Sequence, residues 1–129
     1  MAELKYWVWL NELGLNADNA RLVLSHFGGP KAAFFAEKAD FAAIKDWTEK
    51  SLPEREINTL CNKNLSHVYR ILDDMQTIGG RVLTQQDAEY PTRLRNTSGP
   101  PVVLYMRGRL PVVDEEAAVA IVGTRKCSA

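Results

Sequence analysis

From residue 3 to about residue 78 the apolar positions recur at intervals of three and four; beyond residue 80 they alternate or run together. The first pattern is that of amphipathic helices and the second that of strands. Leu4, Trp7, Val8, Leu10 and Leu13 predict a helix over 3–13, with Trp7 in the core and Trp9 half-exposed. Gly14 ends it, and Asn16 or Asp18 caps a second helix over 18–27 that buries Ala20, Val23, Leu24 and Phe27. Gly28 and Gly29 break the chain, and Pro30 opens a third helix to about residue 38. A short fourth helix starts near Asp40. Ser51 and Glu54 have the spacing of a capping box, with Pro53 in the first turn. Ile57, Leu60 and Cys61, then Leu65, Val68, Ile71, Leu72 and Met75, continue in helical phase to about Ile78. The poor helix formers of 61–64 predict a break, with Asn64 capping the second half and Gly79–Gly80 closing it.

Past the glycines, 81–87 reads as a short strand with a polar finish, and Pro91 opens a single helical turn. The segment 100–108 is β-branched and aromatic between prolines and Gly108, which predicts a strand on which Tyr105 and Arg107 share one face. Tyr90 reads as packing glue between the helical and strand-bearing parts. The continuous apolar run 117–123 predicts a strand buried on both faces, as in a parallel sheet covered by helices. The expected organisation is an α+β fold: a helical domain over 1–80 and the first strands of an α/β domain over 81–129.

Composition excludes several classes of function. Apolar residues make up 46% and charged residues 25%, the balance of a globular protein. No apolar run approaches the roughly 20 residues of a membrane helix, and the N-terminus lacks the features of a signal peptide. Two cysteines and two histidines, widely spaced, offer no zinc-ligand pattern. The expectation is a cytoplasmic protein with reduced thiols, no metal and no membrane partner. Net charge is zero overall, but residues 1–80 carry −2 and residues 81–129 carry +2. Arg93, Arg95, Arg107, Arg109, Arg125 and Lys126 cluster late in the sequence, which points to an anion-facing second half.

The candidate chemistry lies at the end of the last apolar run. In an open α/β sheet, ligands bind beyond the carboxyl ends of strands. Gly123 would let the backbone approach a ligand, the Thr124 hydroxyl could donate to a phosphate, and Arg125 could grip phosphate oxygens. Spacing alone favours a strand-to-helix turn with solvated basic residues, because no second glycine or phosphate-loop motif follows. The sequence NELGLN (11–16) is a second candidate. It is similar to a helix-hairpin-helix turn, whose N–H groups can hold a DNA phosphate, but Glu12, Asp18 and Asn19 around it favour a purely structural turn. No catalytic triad, Cys/His pair or paired carboxylates can be assembled.

Three segments, read in order, resemble one family. EYPTRLRN resembles its Y-P-x-x-L segment, GPPVVLYMRGRL its P-P-x-x-L-[YF]-x-x-G segment, and VAIVGTRKCSA its V-A-I-V-G-[ST]-R-x-x-S segment. They are hallmarks of the DprA family of DNA-processing proteins, also called Smf. The resemblance implies a sterile-alpha-motif-like, helix-hairpin-helix-type N-terminal bundle followed by a truncated, extended Rossmann-like domain. It implies a protein that binds single-stranded DNA during natural transformation, protects it and helps load a RecA-type recombinase. It also implies no enzymatic turnover, no cofactor, and a homodimer formed through Rossmann residues beyond these. Carried over by position, Gly123, Thr124 and Arg125 match the G-[ST]-R turn that helps line the DNA-phosphate pocket, and Ser128 matches the serine after it. Lys126 falls at a variable position and joins the site on charge alone; Cys127 stands where the family has another residue, often proline or alanine. The short length reads as an N-terminal piece of a longer protein, a piece that would itself bind DNA poorly.

Two other readings stand beside this one. The near-neutral helical part, rich in aromatics (Tyr6, Trp7, Trp9, Phe34, Phe35, Phe41, Trp47), would suit a protein-docking module if several of those rings were exposed. A nucleotide-binding enzyme of a related Rossmann type would use the turn at 123–125 for a mononucleotide phosphate. For the run 117–123 without parallel neighbours, the expectation is disorder, pairing with 101–107, or pairing with a second copy.

Overall fold

The computed structural model of the protein describes residues 3–126. In sequence order the elements are α1 (Leu4–Glu12), α2 (Ala17–Phe27), α3 (Pro30–Phe35), α4 (Lys38–Ala42), α5 (Glu54–Leu60), α6 (Ser66–Thr77), β1 (Gly80–Thr84), α7 (Thr92–Arg95), β2 (Val103–Arg107) and a 3₁₀ turn at Val113–Glu115. The fold is α+β. Its sheet is a two-stranded antiparallel ladder in which Gly80 faces Arg107 and Thr84 faces Val103.

Helix ends follow local chemistry. The Asn16 side chain caps α2 by accepting from the Asp18 N–H at 2.9 Å, and Gly28, at φ +76°, closes it. Pro30 starts α3, which stops at Phe35, short of residue 38. Glu37 and Asp40 form a reciprocal capping box on α4, so that helix begins slightly earlier than its sequence suggests. The box expected between Ser51 and Glu54 does not form. Pro53 is the N-cap of α5, and Ser51 instead pairs with Lys45 in an isolated bridge. The break at 61–64 is present, with Asn62 and Asn64 side chains accepting from the backbone two residues on.

The core is built around α1. Tyr6, Trp7, Val8, Trp9 and Leu10 are all buried, five consecutive residues of one helix. A helix buried on every side must be surrounded, and α1 packs against α3, α6 and β2. Trp9, expected half-exposed, is 2% exposed for this reason, and its indole Nε1 donates to the Asn62 carbonyl at 2.8 Å. Val102 and Val103 join the same cluster as Trp7, Leu60 and Val68, so one continuous core crosses residue 80.

The strand predicted over 117–123 is absent. Residues 117–126 form no helix or ladder, and Val119, Ile121 and Val122 are 89%, 98% and 89% exposed. A strand buried on both faces needs neighbours and covering helices; the described residues supply neither. The ladder of β2 is to β1, not to this segment.

Candidate nucleic-acid interface

The approach to the candidate corner is held by a reciprocal clasp. Both oxygens of the Asp114 carboxylate accept from the start of α7, from Thr92 N–H at 2.9 Å and Arg93 N–H at 2.7 Å. The Arg93 guanidinium returns two bonds, to the carbonyls of Glu116 and Asp114, each at 3.0 Å. The N–H donors of Arg93 and Thr92 hold the Asp114 carboxyl below its usual range. Asp114 therefore caps a helix more than twenty residues before it, a role no local motif announces; the acidic run 114–116 reads from sequence as solvated charge.

From this clasp the backbone runs exposed to Gly123–Thr124–Arg125–Lys126. An added Cβ on Gly123 would meet nothing within 4 Å. The Thr124 hydroxyl donates to the Lys126 carbonyl at 2.6 Å, closing a small loop. Among the described residues no ion pair engages Arg125 or Lys126. Ser128 and Cys127 lie outside the described residues. The structure thus shows Gly123, Thr124, Arg125 and Lys126 as an open, cationic tip on no strand. Arg93 is committed to the clasp. Arg107 and Arg109 are exposed.

Tyr90 is 1% exposed, and its hydroxyl donates to the Pro101 carbonyl at 2.8 Å, tying the α7 region to β2. Arg95 lies 5.4 Å from the Tyr90 ring centre. Tyr105 is 41% exposed on the same strand face as Arg107, with its hydroxyl 3.4 Å from Asn11 Nδ2. Burial first, and Glu12 second, push the Tyr105 phenol up to about 12.

In the α1–α2 turn the donors of Asn16 and Asn19 are engaged by a protein carboxylate. The Asn16 N–H is taken by Glu56 Oε1 at 3.0 Å, and Asn19 Nδ2 donates to both Glu56 oxygens at 3.1 and 2.8 Å. The Asn16 N–H is thus already bonded to a carboxylate. Sequence reasoning missed Glu56, which is forty residues from Asn16 and reads as one acid among several.

No group of three or more His, Cys, Asp or Glu that could hold a metal is found among the described residues, and no helix there is long and apolar enough to cross a membrane.

Residues 81–129 match the family described as DNA recombination-mediator protein A. Over 128 residues the sequence is 26% identical to Protein Smf of Synechocystis sp., an alignment that covers 96% of this protein and 31% of the relative. No solved structure matches. The segment that carries the cationic tip thus lies within the part similar to that recombination-mediator family. Over residues 81–129 the chain is therefore similar to the DprA/Smf family, and it spans under a third of the length of the curated relative it matches.

Proposed function

We propose that this protein is part of a single-stranded-DNA-binding recombination mediator of DNA uptake, which protects incoming strands and helps a RecA-type recombinase load onto them. In this reading the tip at Gly123, Thr124, Arg125 and Lys126, with Ser128 after it, contacts the sugar-phosphate backbone of DNA. The observation that carries the reading is the family match over 81–129, which includes an exposed arginine and lysine with no acidic partner among the described residues. The work is binding rather than turnover, in the cytoplasm, and the Rossmann-like sheet and homodimer would be completed by residues beyond these. Such contacts are electrostatic and fall steeply with salt. The test is oligonucleotide anisotropy on the full-length protein and its Arg125→Ala variant. Weaker binding and a shallower salt slope are expected; unchanged binding at every ionic strength overturns the reading.

One observation favours a second role for the helical part. Trp47 is 94% exposed on a loop that Asp46 organises, accepting from Thr48 N–H, Thr48 Oγ1 and Lys50 N–H at 2.8, 2.6 and 3.0 Å. An exposed indole on an ordered loop suits a protein contact. Tyr6, Trp7, Trp9 and Phe41, by contrast, are buried and serve the core. Loss of a recombinase interaction in Trp47→Ala, with DNA binding intact, would establish this role; retention of the interaction would remove it.

A further inference from the structure

A cleft of about 360 Å³ lies where α2 meets the 85–95 segment, lined in part by Arg21, Ser25, Gly28, Gly29, Gln85 and Arg95. No carboxylate lines it. Among the described residues the ion pairs of Lys and Arg are Lys31–Glu3 and Arg81–Glu89, so neither arginine of the cleft is neutralised by a side chain. Both are held by neutral carbonyls instead. Arg21 Nη2 donates to the Thr97 carbonyl at 3.0 Å, and Arg95 Nη2 donates to the carbonyls of Asp87 and Tyr90 at 3.2 and 3.4 Å. The buried Nε of Arg95 has no acceptor among the described residues. A guanidinium fixed by carbonyls is oriented without losing its charge, so little ordering cost remains when an anion arrives.

We propose that this cleft is a phosphate site, with Arg21 and Arg95 as its cationic arms and Ser25 and the Gln85 region as polar neighbours. Its volume exceeds that of several waters at about 30 Å³ each, room for a phosphate group and part of its hydration. The Tyr90 ring beneath Arg95 is nearly fully buried and anchored through its hydroxyl, so the arm rests on a fixed platform. Gly28 and Gly29 leave one rim without side chains; a Cβ at either would meet nothing within 4 Å. The C-terminal end of α2 opposes an anion with about half an elementary charge, less than the two full charges of the arginines. The phosphate could belong to a nucleic-acid backbone or be free. As a nucleic-acid contact the site rests on the proposed function and extends it to the junction of the helical part; as an inorganic-phosphate site it stands apart.

The test follows the arginine side-chain Nε–H signals of the ¹⁵N-labelled protein by NMR, titrated separately with inorganic phosphate and with a short oligothymidylate. The Arg21 and Arg95 signals are expected to move together with at least one probe. Movement with both marks a general phosphate site, and movement with the oligonucleotide alone marks a backbone contact. The exposed Arg21→Gln variant should weaken the responding probe about tenfold, the scale of one charge-assisted hydrogen bond lost. If the probe is the oligonucleotide, its salt slope should fall by about 1. Arg95→Lys keeps the charge, loses the fork and should also weaken binding. Failure of both probes to move Arg21 and Arg95 overturns the site. An Arg125 response to the oligonucleotide without one at Arg21 and Arg95 overturns the cleft and keeps the proposed function; the converse keeps the cleft and counts against the tip.

Discussion

The Glu56 carboxylate and the Asn16 backbone N–H meet at 3.0 Å, joining the start of α5 to the N-cap of α2. Glu56 is 5% exposed and has no cationic partner within ion-pair distance among the described residues; Asn19 supplies the rest of its hydrogen bonding. A buried carboxylate is tolerated only when so satisfied. Truncating it removes the shared acceptor of the Asn16 N–H and the partly buried Asn19 amide, so Glu56→Ala should lose about 1–2 kcal/mol of stability. Chemical denaturation checks this. A variant as stable as the parent would show that water replaces the carboxylate at no cost.

Trp9 gives a second stability prediction. Its ring packs edge-on against Phe34 at 5.1 Å and lies 4.8 Å from the Lys63 ammonium, while Nε1 anchors the α5–α6 loop through Asn62. Desolvation lowers the Lys63 pKa, as expected for an ammonium held among rings. Trp9→Ala should cost about 3–5 kcal/mol, the scale of a large aromatic removed from a core. Trp9→Phe keeps most of the ring and loses the anchor, and should cost about 1–2 kcal/mol. Hydrogen exchange at 61–64 should rise in both variants.

The clasp between Asp114 and the start of α7 should open in acid. Its carboxyl is held below the usual range by the N–H groups of Arg93 and Thr92, so its stabilising effect is present above the unfolded pKa and is lost as pH falls through the lowered folded value. Asp114→Ala should raise exchange at the Thr92 and Arg93 amides at neutral pH and leave the α1 amides protected. Equal protection at Thr92 and Arg93 in parent and variant would mean that the cap contributes nothing.

Tyr105 carries a prediction at the other end of the pH scale. With its phenol raised to about 12, its contribution is present below the ordinary phenol range, near 10, and is lost as pH rises through the folded value. An ultraviolet titration of the folded protein should therefore show a late-ionising tyrosine that Tyr105→Phe removes.

The helices were legible because their determinants are local. Asn16, Gly28 and Pro30 act within a residue or two of the ends they set, and the asparagines of 61–64 break the helix where they stand. What was not legible depends on residues far away. A single apolar stripe predicts a half-exposed Trp9, whereas α1 is enclosed by α3, α6 and β2. Ser51 has the right spacing for a cap but is drawn to Lys45 across the Trp47 loop. The run 117–123 has strand composition, yet composition cannot supply the neighbouring strands that would bury it. The G-T-R-K corner was legible as a motif; the clasp that leads to it and the carboxylate that fills the α1–α2 turn span twenty to forty residues and leave no periodic trace.

Gly123 separates a folding role from a binding one. Its φ lies outside the left-handed region, and an added Cβ would touch nothing within 4 Å. Alanine at this position therefore meets neither strain nor a clash in the structure, and Gly123→Ala should leave the melting temperature unchanged. If the glycine is there to let a DNA strand approach the protein main chain closely, the same methyl group stands in the ligand's path. Oligonucleotide affinity of the full-length protein should then fall about tenfold, the cost of roughly one hydrogen bond to a charged group. Equal affinity with equal stability would mean that the tip binds through Arg125 and Lys126 alone and that the main chain is never approached.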